Sequence, residues 1–104
     1  MRILLICAGG LSTSILVSKM KTYAQSIGDE ALIEAHPAGN LSELIDKFDI
    51  VLLGPQINHK LESIKKQYGH LEKPIQVIES MDYGLVRGKE VYEKAKRTLS
   101  QRKG

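Results

Sequence analysis

Arg2-Ile3-Leu4-Leu5-Ile6-Cys7-Ala8-Gly9-Gly10-Leu11-Ser12-Thr13-Ser14 is the stretch on which the fold turns. Four large aliphatics in succession, Ile3 to Ile6, suit a strand buried on both faces, as in a parallel sheet covered by helices. Paired glycines then break the run. Beyond them Ile15, Leu16, Met20, Tyr23, Ala24 and Ile27 recur at helical spacing, and Gly28 supplies a C-terminal cap. The spacing predicts a first helix over about residues 12–27.

The same alternation continues along the chain. Further apolar runs at 31–36, 49–53 and 74–78 read as strands, and Ile50-Val51-Leu52-Leu53 again has the continuous character of a central one. The run containing Glu34 and His36 reads as an edge strand. Asn40 followed by Glu43 resembles a capping box opening a short helix. Pro55 sits where a first-turn proline is tolerated, Ile57, Leu61, Ile64 and Tyr68 make one stripe, and Gly69 marks its end. A last, strongly charged helix spans about 88–99, with Val91, Ala95 and Leu99 inward. Strands alternating with helices predict an α/β fold: one four-stranded parallel sheet, order 2-1-3-4, with helices on both faces, a relative of the flavodoxin-like sheets.

At 104 residues and 42% hydrophobic, the chain suits one compact core, so a single domain over 1–104 is expected, with a frayed basic tail from about residue 100. The longest apolar run falls far short of the roughly 20 residues that cross a bilayer, and the first residues do not resemble a signal peptide. A soluble, cytoplasmic protein is the expectation. One cysteine cannot form an intramolecular disulfide, and a redox Cys-x-x-Cys is excluded. The net charge of +3 gathers toward the C-terminus without interleaved aromatics, which argues against nucleic acid as a partner.

In open α/β sheets ligands lie beyond the carboxyl ends of the central strands, where Cys7 and Gly54 emerge. Ala8 to Ser14 contains no proline, so every residue keeps its N–H, and Gly9 and Gly10 can adopt the positive φ values that turn those groups inward. The start of the first helix and the hydroxyls of Ser12, Thr13 and Ser14 add donors and partial positive charge. Such a ring binds phosphate. It also favours the thiolate, so the Cys7 pKa is expected below the roughly 8.5 of a free cysteine, making the sulfur a nucleophile aimed at phosphorus. The plainer alternative is a small core cysteine ending a strand, an ordinary glycine turn and a hydroxyl-capped helix. Neither a Gly-Lys-Ser/Thr phosphate loop nor a Gly-x-Gly-x-x-Gly dinucleotide motif is present.

Cys7 to Ser14, continuing through Ile15-Leu16-Val17-Ser18-Lys19-Met20, resembles the phosphocysteine loop of the enzyme IIB components in the lactose/cellobiose branch of the bacterial sugar phosphotransferase system. Leu52-Leu53-Gly54-Pro55-Gln56-Ile57 and Tyr83-Gly84 fit the same family, extending the likeness over about residues 2–99. The resemblance implies a cytoplasmic phosphoryl carrier without a cofactor or metal, expected as a monomer. Its Cys7 would take phosphate from a phosphohistidine of enzyme IIA and pass it to a sugar held by the membrane enzyme IIC. Ala8, Gly9, Gly10, Leu11, Ser12, Thr13 and Ser14 would bind the phosphate, with Gly54, Pro55, Gln56 and Tyr83 along the rim.

Low-molecular-weight tyrosine phosphatases share this topology and use Cys-x5-Arg-Ser. Here Thr13 occupies the arginine position, removing the bidentate phosphate clamp. Asp82-Tyr83 partly echoes the phosphatase acid, although an aspartate in a polar loop is ordinarily a turn residue. A carrier needs its thiophosphate to persist, so the substitution favours relay over hydrolysis. An anion-responsive binding module without catalysis is the remaining alternative. His36, His59 and His70 lack a shared ligand spacing and read as surface or edge residues, with His59 closest in sequence to the predicted site.

Overall fold

A computed structural model describes residues 1–7 and 11–101, with only the backbone of Leu11 and Ser12. Its sheet consists of β1 (Arg2–Cys7), β2 (Leu32–Pro37), β3 (Ile50–Leu53) and β4 (Ile75–Val77), all parallel, in the order β2-β1-β3-β4. Five α-helices accompany it among the described residues: α1 (Leu11–Ser26), α2 (Leu41–Leu44), α3 (Leu61–Tyr68), α4 (Ser80–Gly84) and α5 (Gly88–Gln101). The predicted topology is the one observed, and β2 is an edge strand.

The continuous aliphatic run of β1 is explained by its neighbours. Ile3 and Leu5 join Leu16, Val17, Met20, Val91, Tyr92 and Ala95 in the layer of α1 and α5. Leu4 and Ile6 point the other way, into a cluster with Leu41, Ile45, Phe48, Ile57 and Ile64. All four side chains are essentially excluded from solvent. Each such aliphatic contributes roughly 1.5–3 kcal/mol by leaving water, and a polar residue at any of them would be buried against protein whichever face it pointed to.

Several local expectations are corrected. Asn40 makes no side-chain cap, because a 3₁₀ turn (Ala38–Asn40) leads the backbone into α2 and Asn40 has φ −93° and ψ 0°, outside the extended region in which an N-cap residue reaches forward. α3 ends at Tyr68, so Gly69 marks its end as expected, but not by a left-handed cap: Gly69 keeps φ −59° and opens another 3₁₀ turn, and the left-handed residue that closes it is Glu72, at φ 57°. Pro55 does open a helical segment, but Pro55–Lys60 is 3₁₀ with a kink at Ile57. Ile15 on α1 and Ile27 just beyond it are about half exposed, while Thr13 and Val17 face inward. The α5 stripe includes Tyr92, fully buried, whose hydroxyl donates to Asp29. Gly28, at φ 76°, ends α1 as expected.

Gly88 fixes how α5 crosses α1. A Cβ there would stand 2.6–2.8 Å from the Lys19 Cβ and the backbone between Lys19 and Met20, so only glycine allows this approach. Farther along the same interface, the Tyr23 hydroxyl donates to Glu93, and Asp29 accepts from both Tyr92 and Lys96. Thus α1 is fastened to α5 along most of its length.

Candidate functional site

Cys7 is the last residue of β1, at the carboxyl edge of the sheet, and retains 7% of its surface. The adjacent central strand ends at Leu53, and Gly54 continues its pairing by donating its N–H to the Ile6 carbonyl at 2.8 Å. The chain crosses from β1 to β2 on one side while β3 lies on the other, so Cys7 and Gly54 stand at the switch point of the strand order, where ligands of such sheets bind.

Gly54 is shaped for that position. A Cβ on it would lie 3.6 Å from the Cys7 Cβ and 2.8 Å from Gln56 Oε1, so the Gln56 amide folds back over Gly54. Pro55 is half-buried beside it and Gln56 is exposed. Gly54, Pro55 and Gln56 are therefore brought to the Cys7 edge by the turn out of β3, as their sequence position suggested.

The expected donor ring is only partly within view. Ala8, Gly9 and Gly10 lie outside the described residues, as do the side chains of Leu11 and Ser12. The backbone of α1 starts at Leu11, so the first-turn amides of Leu11 to Ser14 have no partner within the helix, and the positive end of its dipole lies at this edge of the sheet. Ser14 is exposed. Thr13 is not: it is 2% exposed, and its hydroxyl lies 2.6 Å from the hydroxyl of Tyr83, itself buried. Thr13 and Tyr83, grouped from sequence as loop and rim, meet across two helices.

Asp82 departs furthest from expectation. It lies in α4, a helix that sequence reading took for a polar loop, and it is 4% exposed. Its Oδ2 accepts from Lys94 Nζ at 2.9 Å and its Oδ1 lies 3.7 Å from the Arg87 guanidinium. Lys94 also donates to Glu79 at 2.8 Å, and its bonds to Glu79 and then to Asp82 raise the lysine pKa above its ordinary value. These partners lie too far apart in sequence for periodicity to pair them. His59 is exposed on the 3₁₀ segment, His70 is exposed, and His36 bonds Glu34 on the edge strand. Among the described residues no group of three or more metal-ligating side chains comes together.

A family model described as "PTS system, Lactose/Cellobiose specific IIB subunit" matches residues 2–94. The oligo-β-mannoside-specific EIIB component of Bacillus subtilis is 45% identical over 94 residues, covering 90% of this chain and 91% of that protein. A lactose-specific EIICB component of Streptococcus mutans is 28% identical over 82% of this chain, which spans 15% of that longer protein. The solution structure of the cellobiose-specific phosphotransferase IIB component from Borrelia burgdorferi superposes with a TM-score of 0.82 at 38% identity, covering 97% of this chain and 93% of that one.

Proposed function

Since the chain belongs to the lactose/cellobiose-specific IIB family of the phosphotransferase system, we propose that Cys7 is the group that carries phosphate between an enzyme IIA and a sugar bound by an enzyme IIC. The observation that carries this reading is the place of Cys7, the chain's only cysteine: it ends a central strand at the carboxyl edge of the sheet, beside Gly54, with three residues between it and the start of α1.

In the first step the Cys7 thiolate attacks the phosphorus of a phosphohistidine on the donor. An S–P bond forms as the P–N bond breaks, and the imidazole departs with the electron pair. Amides from Ala8 to Ser14 offset the charge on the three equatorial oxygens, with the α1 dipole behind them. In the second step a sugar hydroxyl attacks phosphorus, its proton passing to a base on the acceptor side, and the sulfur leaves as thiolate. Cys7 is only 7% exposed, so each partner has to approach closely at the carboxyl edge of the sheet to reach phosphorus.

Two observations favour relay over a phosphatase reaction. Thr13, in the place of the phosphatase arginine, spends its hydroxyl on Tyr83. Asp82, the sole candidate for the acid, is held by Lys94 and Arg87. The relatives are named for oligo-β-mannoside, galactose, cellobiose and lactose, which makes a mono- or oligosaccharide the acceptor class, and the fused EIICB relative supports the pairing with a IIC. No helix among the described residues is long and apolar enough to cross a membrane. The carrier works in the cytoplasm, as a monomer.

The test is labelling by a phosphorylated IIA. One phosphate per chain, located by mass spectrometry on Cys7 and absent from a folded Cys7→Ser variant that still binds IIA, is the expected result. Label on a histidine, or sustained turnover of an aryl phosphate, would sink the reading. A Cys7→Ser protein with full biological output would identify a binding module.

A further inference from the structure

Asp82 is a charged group in a position where charge is costly. A carboxylate at 4% exposure forfeits its hydration, and one buried pair rarely recovers that loss beyond what an apolar residue of similar size would provide. The geometry around it is specific. Lys94, from α5, reaches Glu79 immediately before α4 and Asp82 within it, at 2.8 and 2.9 Å. The Asp82 carbonyl also accepts from the Arg87 N–H at 2.8 Å, tying α4 to the turn that begins α5.

Five residues are too few for α4 to hold its own shape or place. What α4 presents is Tyr83, the next residue after Asp82, whose hydroxyl meets Thr13 in the first turn of α1. A continuous set of contacts therefore runs from Lys94 through Asp82 and Tyr83 to Thr13, at the start of the helix that follows the cysteine loop. We propose that Asp82 is a positioning residue for the Cys7 reaction, held by Lys94 so that α4 keeps Tyr83 against Thr13 and thereby sets the first turn of α1 relative to the cysteine. This inference rests on the carrier reading above. Asp82 acts in it through Tyr83 and Thr13, not on the reacting atoms.

The experiment compares wild type with Asp82→Asn, Lys94→Met and the double variant, measuring single-turnover transfer from phosphorylated IIA at increasing donor concentration. Each single variant is expected to lower the limiting rate about ten-fold, as sub-ångström misplacement of an anion site does, with half-saturation by the donor unchanged. The double variant should be no slower than either single one, since both remove the same link. Thr13 and Tyr83 resonances should shift in all three, at a temperature where each is folded. Lys94 is about half exposed, so Lys94→Met keeps the test available even if Asp82→Asn unfolds. Folded Lys94→Met transferring at the wild-type limiting rate, or slowed only through donor affinity, would overturn the inference. Absence of Cys7 labelling in the wild type would overturn the carrier reading instead.

Discussion

Tyr83 and Thr13 place two hydroxyls 2.6 Å apart where water has almost no access, so neither can be compensated if the other is removed. Tyr83→Phe should therefore lower stability by about 1–3 kcal/mol, mostly from the stranded Thr13 hydroxyl, read as a lower urea midpoint with unchanged slope. Tyr83→Phe, Thr13→Val should recover part of that loss, because it removes both polar groups together. Six residues on from Cys7, Thr13 stands where the Cys-x5-Arg pattern of a phosphatase has arginine. Its partner was out of reach of such counting, since a bond between residues 13 and 83 exists only once α1 and α4 are packed. Asp82 was misread for the same reason: a lone carboxylate among polar residues looks solvated until the lysine that accompanies it is known.

At the level of elements, strands were more legible than helix ends. An aliphatic run between turn residues has few alternatives, and each strand was expected within a residue or two of its observed bounds. Helix boundaries depend on whether a 3₁₀ turn precedes or follows, which hydrophobic spacing does not record, hence the missing cap at Asn40 and the continuation past Gly69. The contact between α1 and α5 was equally silent, because a glycine in sequence does not show what approaches it. Gly88→Ala tests that contact. A methyl group set 2.6–2.8 Å from Lys19 and Met20 must push the helices apart, at a cost of about 1–3 kcal/mol, despite the better helix propensity of alanine. Thermal melting of the variant should show a clear drop, whereas Gly84→Ala, with open space around it, should not.

Across the whole molecule, the order 2-1-3-4 followed from two runs of uninterrupted aliphatics, since only central strands need apolar side chains on both faces. The opposite end of the sheet from Cys7 is secured by charge. Lys96 and then Tyr92 hydrogen-bond Asp29 and lower its pKa; at Asp49 burial opposes ionisation, but the bonds from the Arg2 amide and guanidinium prevail and lower it as well. Both carboxylates are thus more acidic folded than unfolded, so their stabilising effect is complete above the unfolded pKa of about 3.9 and fades as pH falls through the folded values. Urea midpoints should decline on acidification below about pH 4, and less steeply for Asp29→Asn and Asp49→Asn than for wild type.

Met1, Leu99 and Ser100 border one cavity of about 680 Å³ together with Asp29 and Asp49, at the amino edge of the sheet. Both ends of the described chain therefore emerge on the side remote from the thiol. A tether attached at either one, whether a resin, a dye or another folded module, would hold the molecule from behind and leave the Cys7 edge of the sheet unobstructed.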